Sequence, residues 1–207
     1  MKIFLDTCDI GIIRRYYEMG FVDGITINPS IIAHSGLSIF KAVTAICETI
    51  KTSISVEVIS SEIEGMFREA MEYCKLGEQI TIKLPITKNG LITCKKLSSR
   101  GINVNMTLCF SPSQAILAAK MGAEYVSPFI GRLDDIGQNG LKLIADICEI
   151  YSNYPSIKTK IIVASIRNTE HFIESARLGA DIATISPDLL DNLIYHELTK
   201  RGRNFYE

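Results

Sequence analysis

Histidine is scarce in this chain, with only His34, His171 and His196, widely separated along it. Neither a metal cluster nor a histidine-based triad has the side chains it needs. The six cysteines (Cys8, Cys47, Cys74, Cys94, Cys109 and Cys148) form no CxxC pair, and their spacing fits no zinc site. Net charge is short as well: 22 Lys and Arg against 23 Asp and Glu leave −1. No global field therefore favours nucleic acid or a membrane surface, and an anionic ligand needs a local cluster. No apolar run reaches membrane-spanning length. Walker and dinucleotide glycine fingerprints are missing, as are low-complexity segments and Pro-, Gly- or Ser-rich linkers. Asp6 interrupts the N-terminus too early for a signal peptide. The expectation is a soluble cytoplasmic protein with reduced thiols, forming one domain over residues 1–207. A hydrophobic fraction of 47% is ample for its core.

One local pattern is plentiful: a helical stretch, a glycine, then a short strand. It occurs at Gly20, Gly77, Gly101, Gly122 and Gly179. A glycine just past a helix accepts the left-handed C-cap conformation. The steps between these glycines are 57, 24, 21 and 57 residues. Two steps match single βα units, and each step of 57 holds two units. Strand candidates at Ser53 to Ile59 and Lys160 to Ser165 fill the long gaps, and Lys2 to Asp6 opens the series. Eight βα units predict an α/β fold, a single-domain (β/α)8 barrel. A doubly wound open sheet is the alternative, because local periodicity does not show closure.

In such a barrel the chemistry belongs at the C-terminal strand ends. Period-two alternation separates Ile80, Ile82 and Leu84 from Thr81 and Lys83. It likewise sets Thr26 and Asn28 opposite Ile25 and Ile27, and Ser55 and Glu57 opposite Ile54, Val56 and Val58. Asn103, Asn105 and Thr107 stand opposite Ile102, Val104, Met106 and Leu108. With the apolar faces against helices, the polar sets face the lumen. A lysine there is costly unless paired or neutralised, and a neutral lysine is an amine nucleophile. The bland alternative is a lysine that snorkels or guards an edge, or a network that only neutralises charge. Glu57 and Lys83 fall on neighbouring strands, within reach for proton exchange. Arg132, Ser165 and Arg167 form a second group suited to a phosphate. For Arg132 the alternative is a salt bridge to Asp134 or Asp135, and for Arg167 solvent exposure. Ser30 and Ser111 have no evident base and read as helix caps.

These positions together resemble the transaldolase family, in its short type related to fructose-6-phosphate aldolases. The resemblance runs from Phe4-Leu5-Asp6-Thr7 to about Leu198. It is carried by Thr26-Ile27-Asn28-Pro29-Ser30, Val56-Glu57-Val58, Ile82-Lys83-Leu84-Pro85, Asn105-Met106-Thr107-Leu108, Val126-Ser127-Pro128-Phe129-Ile130-Gly131-Arg132-Leu133-Asp134-Asp135 and Ala164-Ser165-Ile166-Arg167. It implies class I aldol chemistry without metal or coenzyme. Lys83 would be the Schiff-base lysine and Asp6 the acid/base for the carbon–carbon bond. Glu57 and Thr107 would handle a catalytic water. Asn28 and Asn105 would hydrogen-bond the dihydroxyacetone part with Ser127 beside them, and Thr26 and Phe129 would also line the substrate site. Arg132, Ser165 and Arg167 would hold the sugar phosphate.

The implied reaction moves a dihydroxyacetone unit from sedoheptulose 7-phosphate to glyceraldehyde 3-phosphate, in the nonoxidative pentose phosphate pathway. A fructose-6-phosphate aldolase releasing free dihydroxyacetone is the near rival. By resemblance, that activity goes with glutamine and tyrosine where this chain has Glu57 and Phe129. A noncatalytic sugar-phosphate-binding barrel is the remaining alternative. The strand 2 motif departs from the family at Ile27, which alternation points outward. Resemblance also implies a homo-oligomer, a ring of five or ten subunits. The chain stops at Asn204-Phe205-Tyr206-Glu207, short of the long C-terminal helix that accompanies the decamer.

Overall fold

The computed structural model describes residues 1–203. The first half of the chain runs β1 (Lys2–Asp6), α1 (Ile10–Glu18), β2 (Gly24–Ile27), α2 (Pro29–Ser35), α3 (Ile39–Thr49), β3 (Ser53–Glu57), α4 (Ile63–Cys74), β4 (Ile80–Pro85) and α5 (Lys88–Ser98). The second half runs β5 (Val104–Cys109), α6 (Pro112–Lys120), β6 (Tyr125–Pro128), α7 (Ile130–Asp134), α8 (Gly140–Ser152), β7 (Lys160–Val163), α9 (Thr169–Arg177), β8 (Ile182–Ile185), α10 (Pro187–Ile194) and α11 (Glu197–Arg203). The eight strands are parallel, pair in chain order and close β8 onto β1. The expected (β/α)8 barrel is the fold, and closure removes the open sheet as an alternative. The terminal run 204–207 lies outside the described residues.

The junction glycines explain how helices hand over to strands. Gly20, Gly101, Gly122 and Gly179 all take positive φ, between 75° and 89°. An L side chain is strained there, whereas glycine is not. Gly77 is the exception and has no positive φ. Its lack of a side chain serves a close approach, since a Cβ would sit 2.6 Å from Gln79 Oε1. Gln79 Nε2 in turn donates to Cys47 O at 3.0 Å and Ile50 O at 3.2 Å, tying α3 to the start of β4.

The alternation splits the strands as expected for most of their length. Ile25, Ile54, Val56, Ile82, Val104, Met106, Ile161, Val163 and Ala183 are buried in the core between barrel and helices. Full burial of each large aliphatic contributes about 1.5–3 kcal/mol, which makes this layer the main stabiliser. The lower lumen is filled by Phe4, Ile162 and Ile182, with Tyr125 against them. The rings of Phe4 and Tyr125 meet edge to face at 6.1 Å. Above this apolar floor the inward residues turn polar.

Two irregularities break the pattern at strand ends. Asn103 precedes β5 and is exposed, so it does not join Asn105 and Thr107 in the lumen. The β5–β6 register shifts between Met106 and Cys109, and Leu108 takes φ 58° within that shift. The extra residue moves Leu108 off the core face, and Cys109 is buried there in its place.

Candidate active site

Lys83 reaches the lumen from β4 with only 5% of its surface exposed. Its register partner on β3 is Glu57, and Lys83 Nζ lies 2.9 Å from Glu57 Oε2. The pair offsets the cost of withdrawing each charge from water. Its geometry also permits direct proton transfer between the two side chains. On the other side of Lys83, register pairs it with Asn105 of β5. Asn105 Oδ1 accepts from Ser127 Oγ at 2.7 Å, and Asn105 Nδ2 donates to Ser55 Oγ at 3.3 Å. These bonds fix which way the buried amide points. Thr107 Oγ1 is fully buried and has no protein hydrogen-bond partner among the described residues.

Asp6 ends β1 and faces the same space. Its Oδ1 accepts from Thr26 Oγ1 at 2.8 Å, and Thr26 Oγ1 is 2.6 Å from Thr184 Oγ1. Burial pushes the Asp6 carboxyl above its ordinary range, against the opposing pull of the Thr26 bond and the Lys83 charge; Glu57 adds to the rise. Asn28 caps α2, with its side-chain oxygen accepting from Ile31 N at 3.0 Å. Ser30 therefore sits inside the helix, not at its cap, while Ser111 does cap α6. Proline at the first turn of both helices suits a position whose N–H has no intrahelical partner.

Beyond β6, Phe129 bridges to Ala164 and begins α7. The Arg132 guanidinium lies over the Phe129 ring, 5.0 Å from its centroid. Arg167, and not Arg132, pairs with Asp135, at 2.9 Å. Asp134 instead meets His171 Nε2 at 3.2 Å and accepts from Gly140 N. Ser165 takes φ 60°, and its carbonyl accepts from Gly131 N at 3.1 Å. With Ile162 in the lumen, strict alternation would turn Ser165 away. The left-handed backbone instead leaves it lining the cavity. At Gly131 a Cβ would fall 2.3 Å from Ser165 O and 2.6 Å from Arg167 Nε. Only glycine lets the start of α7 close against the loop after β7.

The structure thus brings Asp6, Thr26, Asn28, Lys83, Ser127, Phe129, Arg132, Ser165 and Arg167 around one cavity of about 210 Å³. Thr184 and Ala164 line it as well; Thr184 was absent from the sequence expectations, and Ala164 figured there only within the Ala164-Ser165-Ile166-Arg167 motif. Glu57 opens on an adjoining groove with Pro29, Pro85 and Leu108, so it approaches Lys83 from behind. Thr184 follows the inward parity of Ile182 on β8, which was the available signal. Among the described residues, no group of three or more His, Cys, Asp or Glu could hold a metal ion. The side chain of His34 lies outside the described set. No helix among the described residues is long and apolar enough to cross a membrane.

A profile of the family described as Transaldolase/Fructose-6-phosphate aldolase matches residues 3–206. A protein of Nitrosopumilus maritimus named probable transaldolase is 50% identical over 202 residues, covering 98% of this chain and 91% of its own. One of Methanococcus vannielii with the same name is also 50% identical, with 98% and 94% covered. Among solved structures, thiamine phosphate pyrophosphorylase from Pyrococcus furiosus superposes with a TM-score of 0.64 at 14% identity, covering 89% of this chain and 85% of that one. That last likeness concerns the barrel alone.

Proposed function

Because this chain belongs to the transaldolase/fructose-6-phosphate aldolase family, we propose that it transfers a dihydroxyacetone unit between sugar phosphates through an imine on Lys83. The observation that carries this reading is the placement of Lys83 between two acids. Asp6 shares its cavity, and Glu57 contacts its Nζ at 2.9 Å from the adjoining groove. A binding barrel has no need of a nucleophile so placed.

The neutral Lys83 amine adds to the ketose carbonyl carbon, and loss of water yields the protonated imine. Glu57, with Thr107, handles the water that carries protons in this step and in its reversal. Asp6 takes the proton of the hydroxyl beyond the scissile bond. As that bond breaks, its electron pair flows into the imine to give the enamine, and an aldose phosphate leaves. An acceptor aldehyde then reacts in the reverse sense: the enamine carbon forms the new bond and Asp6 returns its proton. Hydrolysis frees the ketose product and restores the lysine. Asn28, Asn105 and Ser127 hold the dihydroxyacetone hydroxyls, with Thr26 and Phe129 around them. Arg132, Ser165 and Arg167 hold the phosphate, with the Arg167 guanidinium exchanging Asp135 for it. The substrate pair is sedoheptulose 7-phosphate with glyceraldehyde 3-phosphate. Glu57 and Phe129, in place of glutamine and tyrosine, favour transfer over release of dihydroxyacetone.

The test is to treat the protein with fructose 6-phosphate and borohydride, map the adduct by mass spectrometry, and assay transfer to erythrose 4-phosphate. A reduced adduct on Lys83 and transfer dependent on the acceptor are expected. An adduct on another residue would refute the imine, and acceptor-independent release at the rate of transfer would identify an aldolase.

The phosphate assignment predicts the effect of Gly131→Ala. The added methyl displaces Ser165 O and Arg167, so KM for phosphorylated substrates should rise about tenfold or more, the scale of losing one charged hydrogen bond. Steady-state kinetics with phosphorylated and unphosphorylated acceptors checks it; an equal loss for both acceptors would contradict the assignment.

A further inference from the structure

Resting on that catalytic reading, we propose that Thr184 is a positioning residue for Asp6, acting through Thr26. The three residues stand on consecutive strands, β8, β1 and β2. Register sets Asp6 beside Thr26 on one side and Phe4 beside Thr184 on the other. A hydroxyl has a single proton to give, and an ionised carboxylate only accepts. Thr26 spends its proton on Asp6 Oδ1, at 2.8 Å. The 2.6 Å contact to Thr184 must then run the other way, with Thr184 donating to Thr26. The result is one directed chain, Thr184 to Thr26 to Asp6.

The surroundings hold that direction. Thr26 and Thr184 are 3% and 7% exposed, so water competes weakly for either hydroxyl. Both are β-branched residues, stiff at χ1. A donor into the Thr26 oxygen polarises its O–H and strengthens the bond it makes to Asp6. It also prevents the Thr26 hydroxyl from turning toward another acceptor. Asp6 is thereby anchored through Oδ1, and its second oxygen is left for the substrate hydroxyl. Strengthening this bond favours the carboxylate, in opposition to burial, which favours the protonated form. The charged groups acting on Asp6 are Lys83, which lowers its pKa, and Glu57, which raises it. Arg132 and Arg167 share the cavity. A change at Thr184 leaves all four in place.

The experiment compares Thr184→Val and Thr184→Ser by the pH dependence of kcat, alone and in a Thr26→Val background. Thr184→Val should move the acid limb up by roughly half a pH unit, a fraction of one hydrogen bond's worth. The neutral-pH kcat should fall severalfold, while borohydride trapping still labels Lys83. Thr184→Ser keeps the donor and should return the limb toward wild type. With Thr26→Val already present, Thr184→Val should add no further shift. An unmoved acid limb, or an equal added loss without the Thr26 hydroxyl, would overturn the proposal. Should Thr184→Val fail to fold, Thr184→Ala bears the same comparison. Failure to trap Lys83 in the unaltered protein would instead sink the imine reading, independently of the Thr184 result.

Discussion

Replacing Lys83 by arginine is expected to leave a folded protein with essentially no transfer activity. Arginine keeps a positive charge opposite Glu57, whose carboxylate lies 2.9 Å from Lys83 Nζ. The fold is therefore spared a partly buried acid without a partner, which a neutral substitution would create. Guanidinium does not deprotonate in proteins, so it cannot add to a carbonyl. The expected loss in kcat is on the order of 10⁴-fold or more, since removal of a covalent nucleophile reaches about 10⁶-fold elsewhere. Intact-mass spectrometry after borohydride should show no adduct, and thermal melting should stay near that of the parent. Retained activity would mean that Lys83 only neutralises Glu57. Lys83→Met should be inactive too, with a lower melting temperature, because it strands the carboxylate.

Asp6→Asn should separate chemistry from stability in the opposite sense. Loss of the acid/base is expected to lower kcat by about 10²–10⁴-fold. In the proposed mechanism imine formation uses Lys83 and Glu57, so borohydride trapping should persist. Stability should move upward. Burial raises the Asp6 pKa in the folded state above its ordinary 3.8. A carboxyl shifted this way contributes stability below the unfolded pKa and loses it as pH rises through the folded value. Near pH 7 the charged side chain is thus a net burden on the fold, and asparagine removes it. The variant's melting temperature should exceed the parent's near neutrality, with the gap narrowing in acid as the parent carboxyl protonates. A gap that widened in acid would contradict the burial argument.

Much of this site was legible because a strand's period is two. Lys83 had to face away from Ile80, Ile82 and Leu84, and strands adjacent in sequence had to bring Glu57 beside it. Closure was not legible: nothing local in Lys2 to Asp6 or Asp181 to Ile185 says that β1 pairs with β8. Thr184 was hidden for that reason, since its importance lies in a residue across the closing seam. It also sits in the apolar run Ile182-Ala183-Thr184-Ile185, where one hydroxyl makes little contrast. The shift at Leu108 carried no glycine to announce it. Arg132 comes from the short helix α7 and Arg167 from the loop before α9, where no strand periodicity ties direction to position, and their partners had to be seen. Nothing in the sequence around Gly131 showed that its lack of a side chain serves the crossing of the Ser165–Arg167 loop over α7.

The floor formed by Phe4, Ile162 and Ile182 has a kinetic consequence. A lumen sealed at its base has a single doorway, at the strand C-termini where the cavity lies. In the proposed transfer, the donor's departing aldose and the incoming acceptor would use it in turn. Two substrates that take turns at one covalent carrier obey a ping-pong scheme, with parallel lines in double-reciprocal plots. Each product should also compete with the substrate that replaces it. If the proposed imine forms, the three-carbon fragment held on Lys83 would be the courier between them, and the floor would keep both partners at the same mouth.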